Sequence, residues 1–177
     1  MTVADRTAVA LNAGCKKRVL MTVQGGGFFW QSRSVAKDLV DEFELCYISS
    51  NMETAFPQSG LPPAPWHKVT HMTTLASQST WHKIRDVTVA LRDTYRVIRS
   101  VKPQAIVCVA TSLAVPLCFW GKIFGIKTVF VDSITRVSTP SATGRILSRF
   151  RLCNRFYVQW PEAKSMYRGS VCKGTVL

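Results

Sequence analysis

Short, continuously apolar segments alternate along this chain with longer segments whose apolar residues recur at helical spacing. The apolar segments predict strands at residues 18–23, 45–48, 67–71, 104–109, 126–131 and 156–159. The segments between them predict helices at residues 29–43, 80–101, 113–124, 141–150 and 161–167. Strands that are apolar on both faces are typical of a parallel sheet with helices on both sides. Such a sheet binds ligands at the carboxyl ends of its strands, so we expect the functional residues there.

The length and the apolar content predict one domain. The chain has 177 residues, of which 47% are hydrophobic, enough to form a sizeable core. We expect residues 1–17 to form a flexible basic arm and residues 18–177 to form a single domain. The uncharged stretch 103–121 is nearly long enough for a membrane-spanning helix. Its β-branched start and the Thr111-Ser112 pair inside it favour a strand, a turn and a helix, so we expect no membrane span.

Basic side chains are concentrated in the C-terminal two thirds of the chain, which has a formal net charge of +13. Residues 1–60 are balanced, residues 61–132 carry nine basic against three acidic side chains, and residues 133–177 carry eight against one. This surplus predicts an anionic partner, which could be nucleic acid, lipid phosphate, a nucleotide diphosphate or an acidic protein. The chain contains no recognised nucleic-acid-binding motif, so we expect no nucleic acid partner.

The six cysteines and three histidines show no metal-ligand spacing and no CxxC pair. Most of the cysteines lie in apolar runs, where a thiol packs as a small hydrophobic group. No Ser/His/Asp or Cys/His arrangement is evident either. We therefore expect no metal, no cofactor and a reducing compartment.

Three consecutive glycines, Gly25, Gly26 and Gly27, follow the first predicted strand. They permit a tight turn whose N–H groups face an anion at the start of the next helix. The dinucleotide-binding fingerprint is incomplete, because Trp30 occupies the position of its third glycine. A phosphate site and a tight turn without a ligand both remain open.

Polar side chains also follow the fourth and fifth predicted strands. Thr111 and Ser112 supply two hydroxyls at a helix start, where they could bind a ligand or simply cap the helix. Asp132 ends the next strand, where a carboxylate can hold a sugar hydroxyl or act as a base. The loop that follows carries Ser133, Arg136 and Thr139. Arg136 could bind a phosphate, or it could pair with Asp132 and order the loop.

The predicted helix 141–150 and the residues after it carry four arginines, at positions 145, 149, 151 and 155. Arg145 and Arg149 share one helix face, with Ile146, Leu147 and Phe150 nearby. Cations mixed with apolar anchors are typical of a surface that lies on a membrane. A merely solvated helix face is the alternative.

Four segments in the second half of the chain resemble a known family. They are 107–116 (VCVATSLAVP), 121–132 (GKIFGIKTVFVD), 133–144 (SITRVSTPSATG) and 156–162 (FYVQWPE), followed by Tyr167 and Val176-Leu177. Together they resemble the accessory subunit of two-chain GT-B glycosyltransferases. That family includes the anchoring subunit that helps to add the second GlcNAc to dolichol-diphosphate-GlcNAc, and bacterial exopolysaccharide counterparts that act on undecaprenyl-diphosphate sugars. The resemblance covers residues 104–177 by motif and 18–177 by layout.

The resemblance implies that this chain is the Rossmann-like N-terminal half of a GT-B enzyme and is inactive alone. A separate chain would supply the catalytic half that binds the UDP-sugar. This subunit would recruit that partner to the cytoplasmic membrane face and help to bind a polyprenyl-diphosphate-linked sugar acceptor. From the residues alone, the alternatives are a basic nucleic-acid-binding module and a stand-alone nucleotide-binding α/β enzyme.

The same resemblance assigns roles to the candidate residues. Asp132 becomes the catalytic candidate. The acceptor and its diphosphate would be bound by Gly25, Gly26, Gly27, Thr111, Ser112, Ser133, Arg136 and Thr139. The membrane surface would be formed by Arg145, Arg149 and Arg151. The partner chain would be bound by Gln159, Trp160, Pro161, Glu162, Val176 and Leu177.

The chain departs from the family pattern at three points. Phe28 stands where members often carry a histidine after two glycines, which excludes an acid–base role for that position. Asp132 stands where the family usually has a glutamate. The N-terminal membrane helix of the eukaryotic members is not found in the sequence, which favours the bacterial exopolysaccharide branch and peripheral attachment.

Overall fold

A computed structural model describes residues 16–50, 60–70 and 80–176, without the side chains of residues 80–83. Within these ranges the strands are β1 (Lys17–Thr22), β2 (Phe43–Ser49), β3 (Trp66–Lys68), β4 (Ala105–Val109), β5 (Lys127–Val131), β6 (Arg155–Val158) and β7 (Val171–Cys172). The helices are α1 (Phe28–Leu39), α2 (Thr80–Val101), α3 (Ala114–Ile123), α4 (Ala142–Arg149) and a short 3-10 helix, Glu162–Met166.

The strands form one parallel sheet in the order β3-β2-β1-β4-β5-β6-β7. The chain runs outward from β1 to β3 and then crosses back to β4, so the strand order reverses between β1 and β4. A crevice opens at the carboxyl ends of strands where the order reverses in this way. The hydroxyl of Thr22 at the end of β1 accepts a hydrogen bond of 2.9 Å from the Val109 N–H at the end of β4. This bond holds the two sides of the crevice together.

Helices cover both faces of the sheet. Successive residues of a strand point to opposite faces, so each strand contributes side chains to the packing on both sides. Leu20 and Ile106 point toward α2, α3, α4 and the 3-10 helix. Val19 and Met21 point the other way, toward α1. Residues from all the central strands are buried in one of these two apolar clusters. The predicted parallel sheet with helices on both faces is therefore confirmed.

The structure corrects the predicted end of α1. Residues 29–43 were expected to be helical, with Phe43 on the buried stripe, but α1 ends at Leu39 and Phe43 begins β2 opposite Lys17. Asp41 and Glu42 follow the helix, where negative charge opposes the helix dipole and disfavours another turn. The four-residue spacing of Val35, Leu39 and Phe43 therefore runs from the helix through a turn into the start of a strand.

Apolar residues at helical spacing, at positions 84, 87, 91, 98 and 101, predict one buried face of α2, and this prediction is only partly correct. Ile98 and Val101 are buried as expected, but Ile84 and Val87 are 54% and 37% exposed. The buried side of the helix instead contains shorter side chains such as Ala90. A spacing of three or four residues identifies one side of a helix, but it does not show how far along the helix that side is covered.

The remaining differences are local. β3 begins one residue before the predicted strand 67–71, and His71 lies outside the described residues. β7 has two residues, too few to produce a hydrophobic pattern, and it was not predicted. Lys17 begins β1 instead of ending the predicted arm, and residues 1–15 of that arm lie outside the described residues.

Candidate functional site

An open pocket of about 590 Å³ lies at the carboxyl edge of the sheet, in the crevice between β1 and β4. The residues that were predicted to meet there and do line it are Gly25, Gly26, Thr111, Ser112, Asp132, Ser133 and Arg136. Gly27 and Thr139 were predicted with them but do not line the pocket. Strand ends that are far apart in the sequence therefore converge as expected for a parallel sheet.

The glycine loop turns tightly into α1. Gly26 has a φ of +71°, in the left-handed region that side chains rarely adopt. Its carbonyl accepts a hydrogen bond of 3.1 Å from the Phe29 N–H. The first turn of α1 consequently begins at the pocket, and Phe28 lines the wall.

Three helices begin at this pocket. Gly25 and Gly26 precede α1, Thr111 and Ser112 precede α3, and Ser141 with Ala142 begins α4. Each helix start presents N–H groups and the positive end of a dipole, which favours an anion. The exposed Arg136 side chain adds a full positive charge to the same pocket. Taken together, these groups suit a phosphate or a diphosphate.

The two hydroxyls before α3 have different surroundings. Thr111 is buried, and its Oγ1 accepts a hydrogen bond of 3.1 Å from the Leu113 N–H. This bond orders the turn before α3, whose N-cap residue is Leu113 and has no side-chain cap hydrogen bond, so the capping role left open for this pair is not observed. Ser112 is exposed and lines the pocket. The preceding residue, Ala110, has a φ of +45°, a conformation that is unusual for a residue with a Cβ and is frequent near functional sites.

Asp132 is 2% exposed, and its two carboxylate oxygens have different surroundings. Its Oδ1 accepts a hydrogen bond of 3.3 Å from the Ser141 hydroxyl. Its Oδ2 is buried without a hydrogen-bond partner among the described residues. Burial raises the pKa of this carboxyl above its ordinary value, against interactions with Tyr167, Ser141, the Ser133 N–H and Arg136 that lower it. The hydrogen-bonding capacity of Oδ2 is thus unused among the described residues.

Asp132 and Arg136 do not form the loop-ordering pair that was left open. Within the part of the chain that the structure describes, no ion pair of 4.0 Å or less joins them. Arg136 acts on the Asp132 pKa only at longer range. Its guanidinium therefore remains available at the pocket.

A cluster around Ser141 supports the carboxylate and was not predicted as part of the site. Ser141 caps α4, since its Oγ accepts a hydrogen bond of 2.9 Å from the Gly144 N–H. Its own N–H donates to the Tyr167 hydroxyl at 2.7 Å. A serine immediately before a predicted helix is a recognised N-cap signal and could have located this residue. Ala142 and Thr143 at the start of α4 also line the pocket and were not predicted, whereas Gln24 and Ser50 lie at strand ends where ligand-binding residues are expected.

The arginines predicted to meet a membrane lie at the other end of α4. Arg145, Arg149 and Arg151 line a shallow groove of about 610 Å³ together with Phe150, which is 63% exposed. Leu147, which was expected beside them, is fully buried beneath the helix. Arg155 is exposed at the start of β6 and does not line this groove.

The predicted partner-binding residues are not all on the surface. Pro161 and Glu162 are exposed, whereas Trp160 and Val176 are partly buried against the core. Gln159 is 2% exposed, and its amide bonds to Gln31, to the Asp132 carbonyl and to the Val176 N–H. Leu177 lies outside the described residues.

Comparison with known proteins identifies similar chains. The family model described as "Oligosaccharide biosynthesis protein Alg14 like" matches residues 67–176. The human UDP-N-acetylglucosamine transferase subunit ALG14 is 37% identical over 89 residues, which cover 47% of this chain and 40% of the human protein. The mouse subunit of the same name is 28% identical over 148 residues, which cover 80% of this chain and 64% of the mouse protein. The chain thus spans less than two thirds of the length of each relative.

Among solved structures, Acinetobacter baumannii MurG has a similar fold. The TM-score is 0.64 at 15% identity, and the match covers 92% of this chain but 44% of MurG. The likeness shows a shared fold, so the predicted Rossmann-like parallel sheet with helices on both faces is confirmed. Both relatives described above are mammalian, and the expected bacterial branch gains no support from them. Among the described residues, no helix combines the length and the apolar character needed to cross a membrane.

Proposed function

Because the chain belongs to the Alg14-like family of oligosaccharide biosynthesis proteins, we propose that it is the acceptor-side subunit of a two-chain glycosyltransferase. A separate catalytic chain binds the UDP-sugar donor, and this chain presents a sugar that is linked to a polyprenyl diphosphate. The observation that carries this proposal is the convergence of three helix starts, Arg136 and Asp132 on one open pocket. UDP-N-acetylglucosamine is the proposed donor, since the similar subunits are named for it.

The pocket offers both kinds of group that a diphosphate-linked sugar requires. The anionic diphosphate of the ligand suits the N–H groups at the helix starts and the Arg136 guanidinium. A hydroxyl of the attached sugar is the proposed donor to Oδ2 of Asp132, which is buried at the pocket and has no hydrogen-bond partner among the described residues. A free phosphate would use the first set of groups but not the second.

Asp132 is the proposed general base of the transfer. The acceptor hydroxyl attacks the anomeric carbon of the donor sugar, UDP leaves with the electrons of the broken bond, and the carboxylate takes the hydroxyl proton. The raised pKa of Asp132 favours this role, because a more basic carboxylate accepts a proton more readily. The pocket faces solvent at the strand ends, where the donor-binding chain can close over it.

Attachment to the cytoplasmic face of a membrane is the second part of the proposal. The groove at the end of α4 combines Arg145, Arg149 and Arg151 with the exposed Phe150 ring. Cations attract anionic headgroups, and an aromatic ring can enter the interface between headgroups and acyl chains. Docking of the catalytic chain is proposed at the exposed Pro161 and Glu162 and at the segment around Val176.

A transfer assay with the two separate chains tests the proposed function. This chain is co-expressed with its candidate catalytic partner, and transfer from UDP-N-acetylglucosamine to a short-chain polyprenyl-diphosphate-GlcNAc is measured for each chain alone and for both. We expect transfer only with both chains present. Turnover by this chain alone would show instead a stand-alone enzyme and would overturn the subunit proposal.

Two arginine variants test the pocket itself. Arg136→Gln removes the cation that lines the pocket, and we expect the KM for the acceptor to rise about tenfold or more. Arg155→Gln is the matched control, because Arg155 is exposed but lies outside the pocket lining. Equal KM values for the two variants would show that the pocket is not the acceptor site.

A further inference from the structure

Exposed apolar side chains are concentrated on one surface of the molecule. Among the described residues, nine large apolar side chains are exposed, and seven of them lie on α2, on α3 or immediately after α3 and α4. These seven are Ile84, Val87, Tyr95, Phe119, Ile123, Phe124 and Phe150. The three helices pack side by side on the same face of the sheet. Their outward sides therefore form one continuous surface.

The centre of this surface is an aromatic strip formed by Tyr95, Phe119, Trp120, Ile123 and Phe124. Trp120 lies 5.1 Å from the ring centroids of both Tyr95 and Phe119, and it stacks on Phe124 at 5.7 Å. Its indole N–H donates to the Leu91 carbonyl at 2.8 Å, which links α3 to α2. The rings are thus held in place by their neighbours while Phe119 and Ile123 remain 39% and 55% exposed.

Cations flank the strip on both sides. On α2, Arg85, Arg92 and Arg99 recur every seven residues and point away from the buried Val97 and Val101. On α4, the exposed Arg145 and Arg149 lie one turn apart on the outward side. Lys122 connects the two regions, since its Nζ donates at 3.2 Å to the carbonyls of Phe150 and Arg151.

Acidic side chains on these three helices are few and already engaged. Asp93 accepts hydrogen bonds from the Thr70 N–H at 3.1 Å and from the Thr70 hydroxyl at 2.7 Å. Asp86 lies 4.0 Å from Arg85. α3 and α4 contain no acidic residue. The surface is therefore strongly cationic around an apolar centre.

We propose that this surface, the aromatic strip with its flanking arginines, docks on an anionic phospholipid bilayer. The proposal rests on the proposed function, in which the acceptor is carried by a lipid. Aromatic rings favour the depth of the headgroups, and arginines bind phosphates there. Cations spread over three adjacent helices match a continuous plane of phosphates, whereas a protein partner would need an equally wide acidic face. The α4 groove is then one edge of a wider docking surface.

Docking in this way orients the pocket. α3 begins beside Ser112 in the pocket and ends at Ile123 in the aromatic strip. Its 10 residues extend for about 15 Å. When the outward side of α3 lies on the bilayer, the helix axis runs along the membrane surface. The pocket then opens sideways along that surface, within reach of a diphosphate whose lipid chain remains in the bilayer.

Binding to vesicles tests the docking surface. The full chain is incubated with phosphatidylcholine vesicles with and without phosphatidylglycerol, and the bound fraction is measured by flotation. We expect the double variant Phe119→Ser/Ile123→Ser to lose roughly tenfold or more in partitioning. Arg92→Gln/Arg99→Gln is expected to lose roughly fivefold or more, and only on vesicles that contain phosphatidylglycerol.

Trp30→Ser is the matched control, because Trp30 is 61% exposed but lies on α1, on the opposite face of the sheet. It should bind vesicles as the unchanged chain does. Wild-type partitioning by Phe119→Ser/Ile123→Ser, or an equal loss by Trp30→Ser, overturns the proposal. Normal vesicle binding by the double variant with lost binding to the catalytic chain identifies a protein interface and also overturns it.

The same double variant separates this proposal from the proposed function. With a water-soluble short-chain acceptor and the catalytic chain, Phe119→Ser/Ile123→Ser should transfer sugar at the wild-type rate, because the strip lies outside the pocket lining. Absence of transfer by the wild-type pair refutes the proposed function, whatever the vesicles show. Loss of soluble transfer in the double variant alone places the strip in the site and contradicts a docking role.

Discussion

The side-chain amide nitrogen of Gln159 lies 2.6 Å from Oε1 of Gln31, although 128 residues separate the two in the sequence. The same nitrogen donates to the Asp132 carbonyl at 2.8 Å, and Oε1 of Gln159 accepts from the Val176 N–H at 2.8 Å. Oε1 of Gln31 also accepts from the Ile134 N–H at 3.2 Å. One buried amide therefore joins α1, the loop that follows β5 and the segment around Val176. The backbone of the pocket loop is fixed by contacts beneath the pocket.

Gln159→Leu should destabilise the fold by about 2 kcal/mol. The substitution leaves the Asp132 carbonyl and the partly buried Val176 N–H without a partner, at about 1 kcal/mol each, while Gln31 Oε1 keeps its hydrogen bond from the Ile134 N–H. Val176→Pro removes the N–H donor, fixes φ at this position and replaces a side chain that packs on the core, and it should cost about 1 kcal/mol or more. Urea unfolding of the purified chain measures both values. A change below about 0.5 kcal/mol for Gln159→Leu would show that these bonds add little to stability.

The parts of the site that follow from sequence are those fixed by strand ends. Gly26, Ser112 and Asp132 each follow a continuously apolar run, and parallel strands bring such positions to one edge of the sheet. The Gln31–Gln159 contact could not be predicted, because an amide in a helix and an amide after a distant strand show no local pattern. The exposure of Ile84 on α2 was missed for a related reason, since the helical period does not show where packing ends.

The free energy of unfolding of the Asp132→Asn variant should increase, relative to that of the unchanged chain, as the pH rises. Burial raises the folded-state pKa of Asp132 above the ordinary value of 3.8, so the unfolded chain loses this proton at lower pH than the folded chain. The contribution of Asp132 to the free energy of unfolding therefore falls as the pH rises above that value. Asparagine does not ionise and does not show this decline.

Urea unfolding of both proteins from about pH 4 to pH 8 measures this difference. Groups common to both chains cancel when the free energies of unfolding are subtracted. A difference that is constant with pH, or that favours the unchanged chain as the pH rises, would contradict a raised pKa at Asp132.

Gly144→Ala should disrupt the support of Asp132. A Cβ at this position would lie 2.6 Å from Tyr167 Cε1 and 2.8 Å from Ser141 Oγ, and the Tyr167 ring is buried and cannot move aside freely. We expect a loss of about 2 kcal/mol despite the better helix propensity of alanine. Gly27→Ala is the control, because its φ is −60° and no atom lies within 4 Å of the added Cβ. Thermal unfolding should show a lower Tm for Gly144→Ala alone, and equal Tm values for both variants would contradict the predicted overlap.

Tyr167→Phe should move the acidic limb of the pH–rate profile to higher pH. The Tyr167 hydroxyl interacts with the Asp132 carboxylate and lowers its pKa, partly offsetting the effect of burial. Removing the hydroxyl removes an interaction that lowers the pKa of Asp132, so this pKa rises. The carboxyl is then protonated at higher pH, where it can no longer act as a general base. The profile of kcat/KM for the two-chain enzyme with a soluble acceptor measures the shift. Tyr95→Phe removes a hydroxyl far from the pocket and should leave the profile unchanged. A shift to lower pH in Tyr167→Phe, or no shift, would mean that Asp132 is not the base whose ionisation limits the rate.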